Sequence, residues 1–198
     1  MAVTFGFEEM QKDMLKDMPE QTYKRLSAEE LAEQAPPAPE GSDEAMWKVA
    51  ATVCDPEIPV LTVADLGILR AVTNEEGTPV VTITPTYSGC PAMETISADL
   101  RAAFVSAGYQ QPRVNLVLTP AWSTDWMSGV GKAKLEEYGI APPTGKTAHE
   151  PVSVGLAVKC PHCHSLKTKE MTRFGSTSCK ALFQCQDCKE PFDYFKVH

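Results

Sequence analysis

The chain has 198 residues, 43% of them hydrophobic, enough for one ordinary domain and a small second one. Its formal net charge of −8 argues against a nucleic-acid binder, and no apolar run approaches the length of a membrane span. Seven cysteines, two pairs of them in Cys-x-x-Cys spacing, and a charge-studded stretch from Phe5 to Met18 where a secretory leader would be apolar predict a cytoplasmic protein that binds metal in a reducing compartment.

Residues 1–41 read as an acidic extension ending in a Pro-rich linker. Residues 1–45 hold 11 acidic and 4 basic side chains, whereas residues 156–198 hold 4 acidic and 7 basic ones. Met10, Met14, Leu15 and Met18 allow one or two amphipathic turns before Pro19, and Ser27 with Glu30 is a capping-box pattern for a short helix through Leu31. The composition suits a disordered charged tail, and a partner-docking helix is the sharper alternative. Ala35 to Gly41 then reads as a semi-extended linker.

Ser42 is predicted to cap a helix with Met46, Val49, Ala50 and Val53 inward, broken by Asp55-Pro56 and Ile58-Pro59. A strand over 68–73, a turn at Glu75-Glu76-Gly77 and a strand from Val80 to Tyr87 form a hairpin, with a loop longer than the tightest type. Met93, Ile96, Leu100, Phe104 and Ala107 recur on one helical face over 93–108. A third strand follows over 114–119. Ser123 is predicted to cap a last helix through Tyr138, with Trp126, Val130 and Ala133 inward. The order α-β-β-α-β-α over 42–139 describes a two-layer α/β domain with a small mixed sheet. Residues 140–155, rich in proline and glycine, read as a linker, and 156–198 as a separate module. The fold class is α+β.

Cys90 lies where strand hands over to helix, in Tyr87-Ser88-Gly89-Cys90-Pro91. Proline suits a first helical turn, so the thiol is placed at the positive end of a helix dipole, a setting that favours thiolate. Such a group is a nucleophile or a soft metal ligand. A small buried thiol filling a turn is the plain alternative.

Cys160, Cys163, Cys185 and Cys188 form two Cys-x-x-Cys knuckles separated by 21 residues. Four sulfurs converging on one tetrahedral ion would stabilise a module with too little core to fold otherwise. Structural zinc is the expectation, and Val158, Leu182, Phe183, Phe192 and Tyr194 supply flanks for the short strands of a zinc ribbon. A rubredoxin-type iron site uses the same ligands, although the glycine that often follows each knuckle there is His164 and Lys189 here. A bridging iron–sulfur cluster, or His162 or His164 replacing a cysteine, is also chemically open. Cys179 is the odd cysteine, a core or turn residue of the ribbon or a spare ligand.

Asp55-Pro56-Glu57-Ile58-Pro59-Val60 and Asp65-Leu66-Gly67-Ile68-Leu69, together with the Cys90 loop, resemble the small α/β domain of iron–sulfur assembly proteins. The resemblance spans residues 42 to about 139. It implies a working surface made of Cys90, Asp55 and Glu57, with Asp65 as a further candidate, that handles iron or an iron–sulfur cluster transiently. Asp55 and Glu57 could instead cap a turn and satisfy backbone donors.

Joined to Arg173-Phe174-Gly175-Ser176-Thr177, Cys179-Lys180-Ala181 and Cys185 to Lys196, the whole of 42–198 resembles the PaaD-like family of accessory proteins in bacterial phenylacetyl-CoA epoxidase systems. That resemblance implies, as partners, the other subunits of such a complex, a di-iron oxygenase and an iron–sulfur reductase. It implies a role in maturing their metal centres. The sequence contains no Glu-x-x-His pair for a di-iron site and no Gly-x-Gly-x-x-Gly or Walker nucleotide loop, so oxygenation by this chain itself is not expected. An interaction subunit without metal chemistry and a thiol enzyme using Cys90 are the other classes.

Overall fold

A computed structural model of the chain describes residues 26–144 and 158–197. The methionine-rich turns expected between Met10 and Met18, and most of the proposed linker, lie outside the described residues. Helix α1 (Ala28–Glu33) has the expected capping box, with the Glu30 carboxylate accepting from the Ser27 N–H at 2.8 Å. The Pro-rich stretch after it is not a free spacer. Trp47 donates its indole N–H to the Pro36 carbonyl at 2.8 Å, and Ala35 and Ala38 pack on the front-domain core.

Helix α2 (Glu44–Ala50) is capped by Asp43, whose carboxylate accepts from the Met46 N–H, and not by Ser42. Ser42 instead accepts from the Val72 N–H, which ties the helix start to the sheet. Strands β1 (Leu69–Glu75) and β2 (Thr78–Ile83) form an antiparallel hairpin, and β3 (Arg113–Leu116) joins β2 in parallel, giving the order β1-β2-β3. The hairpin turn is tighter than expected. Glu76 and Gly77 alone span it, at φ 52° and 86°, the left-handed pair that matches the twist of two strands. Helix α3 (Ala92–Ser106) connects β2 to β3 and buries Met93, Ile96, Leu100 and Phe104, as its periodicity predicts, while Ala107, the last residue of that face, is its C-cap and is exposed.

The single helix expected from Ser123 is two elements. Ser123 caps a short 3₁₀ turn, Thr124–Trp126, and Ser128 caps helix α4 (Gly129–Glu137). The later start changes the phase, so Gly131 and Leu135 face inward while Val130 and Ala133 are exposed. Asp65 sets that phase. Its carbonyl accepts from the Ser128 N–H, one carboxylate oxygen accepts from the Ser128 hydroxyl at 2.7 Å, and the other meets the Lys134 ammonium at 2.7 Å. Two residues on, Gly67 has φ +75°, and a Cβ there would lie 2.3 Å from the Trp126 carbonyl oxygen. Only glycine fits. The Asp65-Leu66-Gly67 stretch is thus the joint between sheet and α4.

The carboxy-terminal module begins earlier than its sequence suggests. Ile140–Ala141, placed in the linker by composition, forms strand β4, paired in parallel with Asp193 and Tyr194. With β5 (Thr168–Thr172), β6 (Lys180–Cys185) and β7 (Pro191–Phe195) it makes a sheet of order β4-β7-β6-β5. Val158, Cys160, Cys185 and Phe192 form a small core of their own. Phe195 and Cys179 instead join the front-domain core, and the ribbon is docked there. At the rim, Lys159 pairs with Glu136 at 2.7 Å.

Replacing Asp65 by alanine would leave Lys134 and the Ser128 hydroxyl without their acceptor, and the side chains concerned are 2% (Asp65) and 14% (Lys134) exposed. The expected cost is about 3 kcal/mol, read as a lower denaturation midpoint at unchanged m-value, with the ribbon's metal content unaltered.

Candidate metal centre and thiol site

Each cysteine knuckle is a tight turn closed by backbone bonds. His164 N–H donates to the Cys160 carbonyl, Cys160 N–H to the Ser165 carbonyl, and Cys185 N–H to the Glu190 carbonyl. The residues following the knuckles, His164 and Lys189, adopt φ 61° and 69°. They take the left-handed conformation for which glycine is the usual residue, so its absence from these positions does not prevent the turn. The ligand atoms of Cys160, Cys163, Cys185 and Cys188 all lie within 4.8 Å of one another. The Cys160–Cys188 and Cys163–Cys185 sulfur distances are 3.8 and 3.5 Å.

A tetrahedral zinc with Zn–S bonds of about 2.3 Å has sulfurs about 3.8 Å apart, so the donor set fits such an ion. The N–H of Cys188, foremost, pulls the Cys185 thiol down to about 6, whereas, against the pull of the Glu190 N–H, burial and the neighbouring sulfurs push Cys188 up to about 12. The two nearby histidines stand outside the cluster, and His164 faces Glu136 at 3.5 Å. These four cysteines are a donor set able to hold one metal ion.

The second site is built by the turn after α2, the β2–α3 loop and the ribbon. Asp55 is buried, and one carboxylate oxygen accepts from the N–H groups of Glu57 and Ile58 at 2.8 and 2.9 Å. It is therefore the organiser of its own turn. This geometry matches the turn-capping alternative, and it also presents Glu57, half-buried, beside it. Burial, foremost, raises both carboxyls, and the Lys180 ammonium opposes that rise.

Cys90 is half-buried in the loop before α3, which turns at Gly89 with φ +89°. The expected thiolate-favouring setting is overturned. Burial, foremost, pushes the Cys90 thiol up, and the carboxylates of Glu57 and Asp55 push it further, against the opposing pull of the Ala92 N–H. Pro91 itself occupies the N-cap position and offers no side-chain cap. Burial, foremost, pushes the Tyr87 phenol up, while Ser178 opposes that rise.

The sequence assigns Cys179 to the ribbon and gives Lys180 no role, yet both act on the groups of this site. Cys179 is 6% exposed, with the Thr177 hydroxyl 3.0 Å from its sulfur, and burial, foremost, pushes its thiol up, with the Glu57 and Asp55 charges adding to the rise. Lys180, 4% exposed, has Asp193 at 3.7 Å and extends its charge toward Asp55 and Glu57. The one available signal was a lysine opening a strand that is otherwise apolar for three residues. Asp65, by contrast, has both carboxylate oxygens engaged by Ser128 and Lys134.

Comparison with known proteins places both halves. Residues 44–116 match the family described as iron-sulfur cluster assembly protein, and residues 144–196 match the PaaD zinc beta ribbon domain. A protein of Escherichia coli (strain K12), named as a putative 1,2-phenylacetyl-CoA epoxidase subunit, is 47% identical over 151 residues, 76% of this chain and 90% of that protein. An Fe-S protein maturation auxiliary factor of Porphyromonas gingivalis (strain ATCC BAA-308 / W83) is 37% identical over 89 residues, 44% of this chain and 84% of that one. Among solved structures, a domain of unknown function, DUF59, from Bacillus anthracis is 30% identical with a TM-score of 0.44, covering 46% of this chain and 88% of its own.

Two outcomes are expected. Cys160→Ser should lower bound metal from one ion per chain and strip amide protection from β5, β6 and β7 in hydrogen exchange. It should also loosen the front domain, because Phe195 and Cys179 belong to that core. For Cys90, alkylation rate against pH should give a midpoint above the free-thiol value of about 8.5, and Glu57→Gln should bring it down by removing a repelling charge. A midpoint below the free value in the wild type would contradict the site as described.

Proposed function

The chain belongs to the PaaD family of 1,2-phenylacetyl-CoA epoxidase components, and from that membership we propose that it is an accessory protein of phenylacetate degradation that matures the metal centres of the epoxidase subunits. The observation that carries this reading is the match of residues 44–116, which include Cys90, Asp55 and Glu57, to iron–sulfur cluster assembly proteins. Iron, or an iron–sulfur cluster, is the cargo of that surface. A thiol and carboxylates are donors of the right kind for iron, and a thiol kept protonated until cargo arrives releases its proton on coordination. The partly exposed position of Cys90 gives a client protein access to it.

The ribbon's metal has a different role. Four thiolates leave no open position for substrate, so Cys160, Cys163, Cys185 and Cys188 hold a structural zinc. It supports the fold of the module that covers the thiol site. Asp55 fixes the turn, Glu57 faces the cargo, and Asp65 serves the architecture of α4.

Cells lacking this protein should make the oxygenase and reductase subunits with under-filled di-iron or iron–sulfur centres, and convert little phenylacetyl-CoA. Wild-type protein should restore iron content, and Cys90→Ala should not. Fully metallated, active client subunits in its absence would refute the maturation reading. Complete metallation with activity still requiring stoichiometric amounts of this chain would show an interaction subunit instead.

A further inference from the structure

The described residues form two sheets, and three of their four outer edges are protected. On β1, the outward backbone groups of Val72 are taken, its N–H by the Ser42 hydroxyl at 3.2 Å and its carbonyl by the Asp43 N–H at 2.7 Å. Strand β4 is two residues long and buried. Strand β5 exposes Lys169 and Glu170 and breaks register between Glu170 and Thr172, devices that discourage a further strand. Strand β3 has no such protection. Its one strand neighbour among the described residues is β2. The Val117 N–H donates inward to the Ile83 carbonyl at 2.9 Å, and Ile83 lies in register with Leu116. Backbone direction alternates along a strand, so Val114, Leu116 and, one step on, Leu118 turn their N–H and C=O groups outward. Leu116 and Leu118 are 54% and 59% exposed. No charged residue lies between Arg113 and Asp125, and Arg113 is engaged by Glu75.

We infer that β3 pairs antiparallel with β3 of a second copy of this chain, about a two-fold axis at Leu116, to give one six-stranded sheet. A two-fold contact sets a surface against itself, so it needs a pattern that reads the same in both directions. This edge has one. Leu116 falls opposite Leu116 of the second copy, and Val114 falls opposite Leu118, each pair exchanging two backbone hydrogen bonds with apolar side chains on the same face. Charge also selects the occupant. Each copy carries −8, so two copies approach at least cost along an uncharged edge, and the axis sets Arg113 against Thr119 and not against a second arginine. Strand direction then fixes where the thiols go. The Cys90 loop follows the end of β2, which runs parallel to β3. Antiparallel pairing sends the two Cys90 loops to opposite ends of the joint sheet, so each meets its own client and the two thiols do not share one ion. The pairing itself does not depend on what Cys90 carries.

Sedimentation equilibrium of the zinc-loaded full chain tests this. One strand pair is a small interface, so mass should rise from monomer to dimer with a midpoint of about 10–100 µM. Added salt should strengthen the dimer by screening the repulsion between two anionic chains. Leu116→Lys sets two like charges face to face on the axis and should weaken association about tenfold or more, with zinc content unchanged. Met171→Lys, on the β5 edge, should leave association as in the wild type. Amide exchange at Val114 and Leu116 should slow as concentration rises through the midpoint. A chain that stays monomeric at about 1 mM overturns the inference. So does a dimer that Met171→Lys breaks and Leu116→Lys does not. Protection of the Val114 and Leu116 amides at every concentration would overturn it too, because the edge would then be covered from within one chain. Should Leu116→Lys lose its zinc through misfolding, the wild-type exchange decides: concentration-dependent slowing at these two amides supports the pairing, and its absence defeats it.

Discussion

Trp122 is held on two sides. Its indole N–H donates to the Leu66 carbonyl at 3.1 Å, and its ring meets Phe195 of the ribbon edge-on at a centroid distance of 6.1 Å. Phe195 is 1% exposed, so its burial contributes about 1.5–3 kcal/mol to docking, with the edge-to-face contact adding to it. Strand β7, which ends in Phe195, is paired along its length with β6, which begins at Lys180. Docking one strand therefore places the start of the next, and with it Cys179, in the front-domain core, and brings the Lys180 charge to bear on Asp55 and Glu57. The thiol site depends on that contact.

The two metal-related regions are linked through the same strand. Strand β6 begins beside the thiol site and ends at Cys185, a ligand of the four-sulfur site. An ion that draws Cys185 and Cys188 toward Cys160 and Cys163 stabilises the whole β6–β7 pair. Its effect reaches the far end of β6 through a continuous ladder of backbone hydrogen bonds. A small module with so few buried apolar residues has little else to hold that register.

Electrostatics at the thiol site run against the simplest expectation. A helix N-terminus lowers a thiol's pKa when the thiol is otherwise solvated, but here burial and two carboxylates act in the opposite sense. The balance favours a protonated thiol in the absence of cargo, a state that resists oxidation and adventitious alkylation. A cation entering among these groups reverses the sign, because it attracts the thiolate and the carboxylates alike.

Much of this molecule was legible in its sequence because the relevant signals are local. The periodicity of Met93, Ile96, Leu100 and Phe104 specifies a helix face, the Ser27–Glu30 spacing specifies a cap, and two Cys-x-x-Cys knuckles specify a four-sulfur cluster, each within a few residues of chain. What failed were inferences that needed a distant partner. Ser42 and Ser123 were sound caps by residue type, yet Ser42 is engaged by Val72, and Asp65 recruits Ser128 to start α4 five residues later than Ser123 would. The linker shortened because Ile140 and Ala141 found a strand to pair with. Cys179 and Lys180 read as ribbon residues because nothing near them in sequence mentions Asp55, Glu57 or Cys90. Residue chemistry alone named the thiol and the four-cysteine ligands. Only packing of one domain on the other, through Phe195 and Trp122, decided which further groups surround that thiol and which way its proton equilibrium is driven.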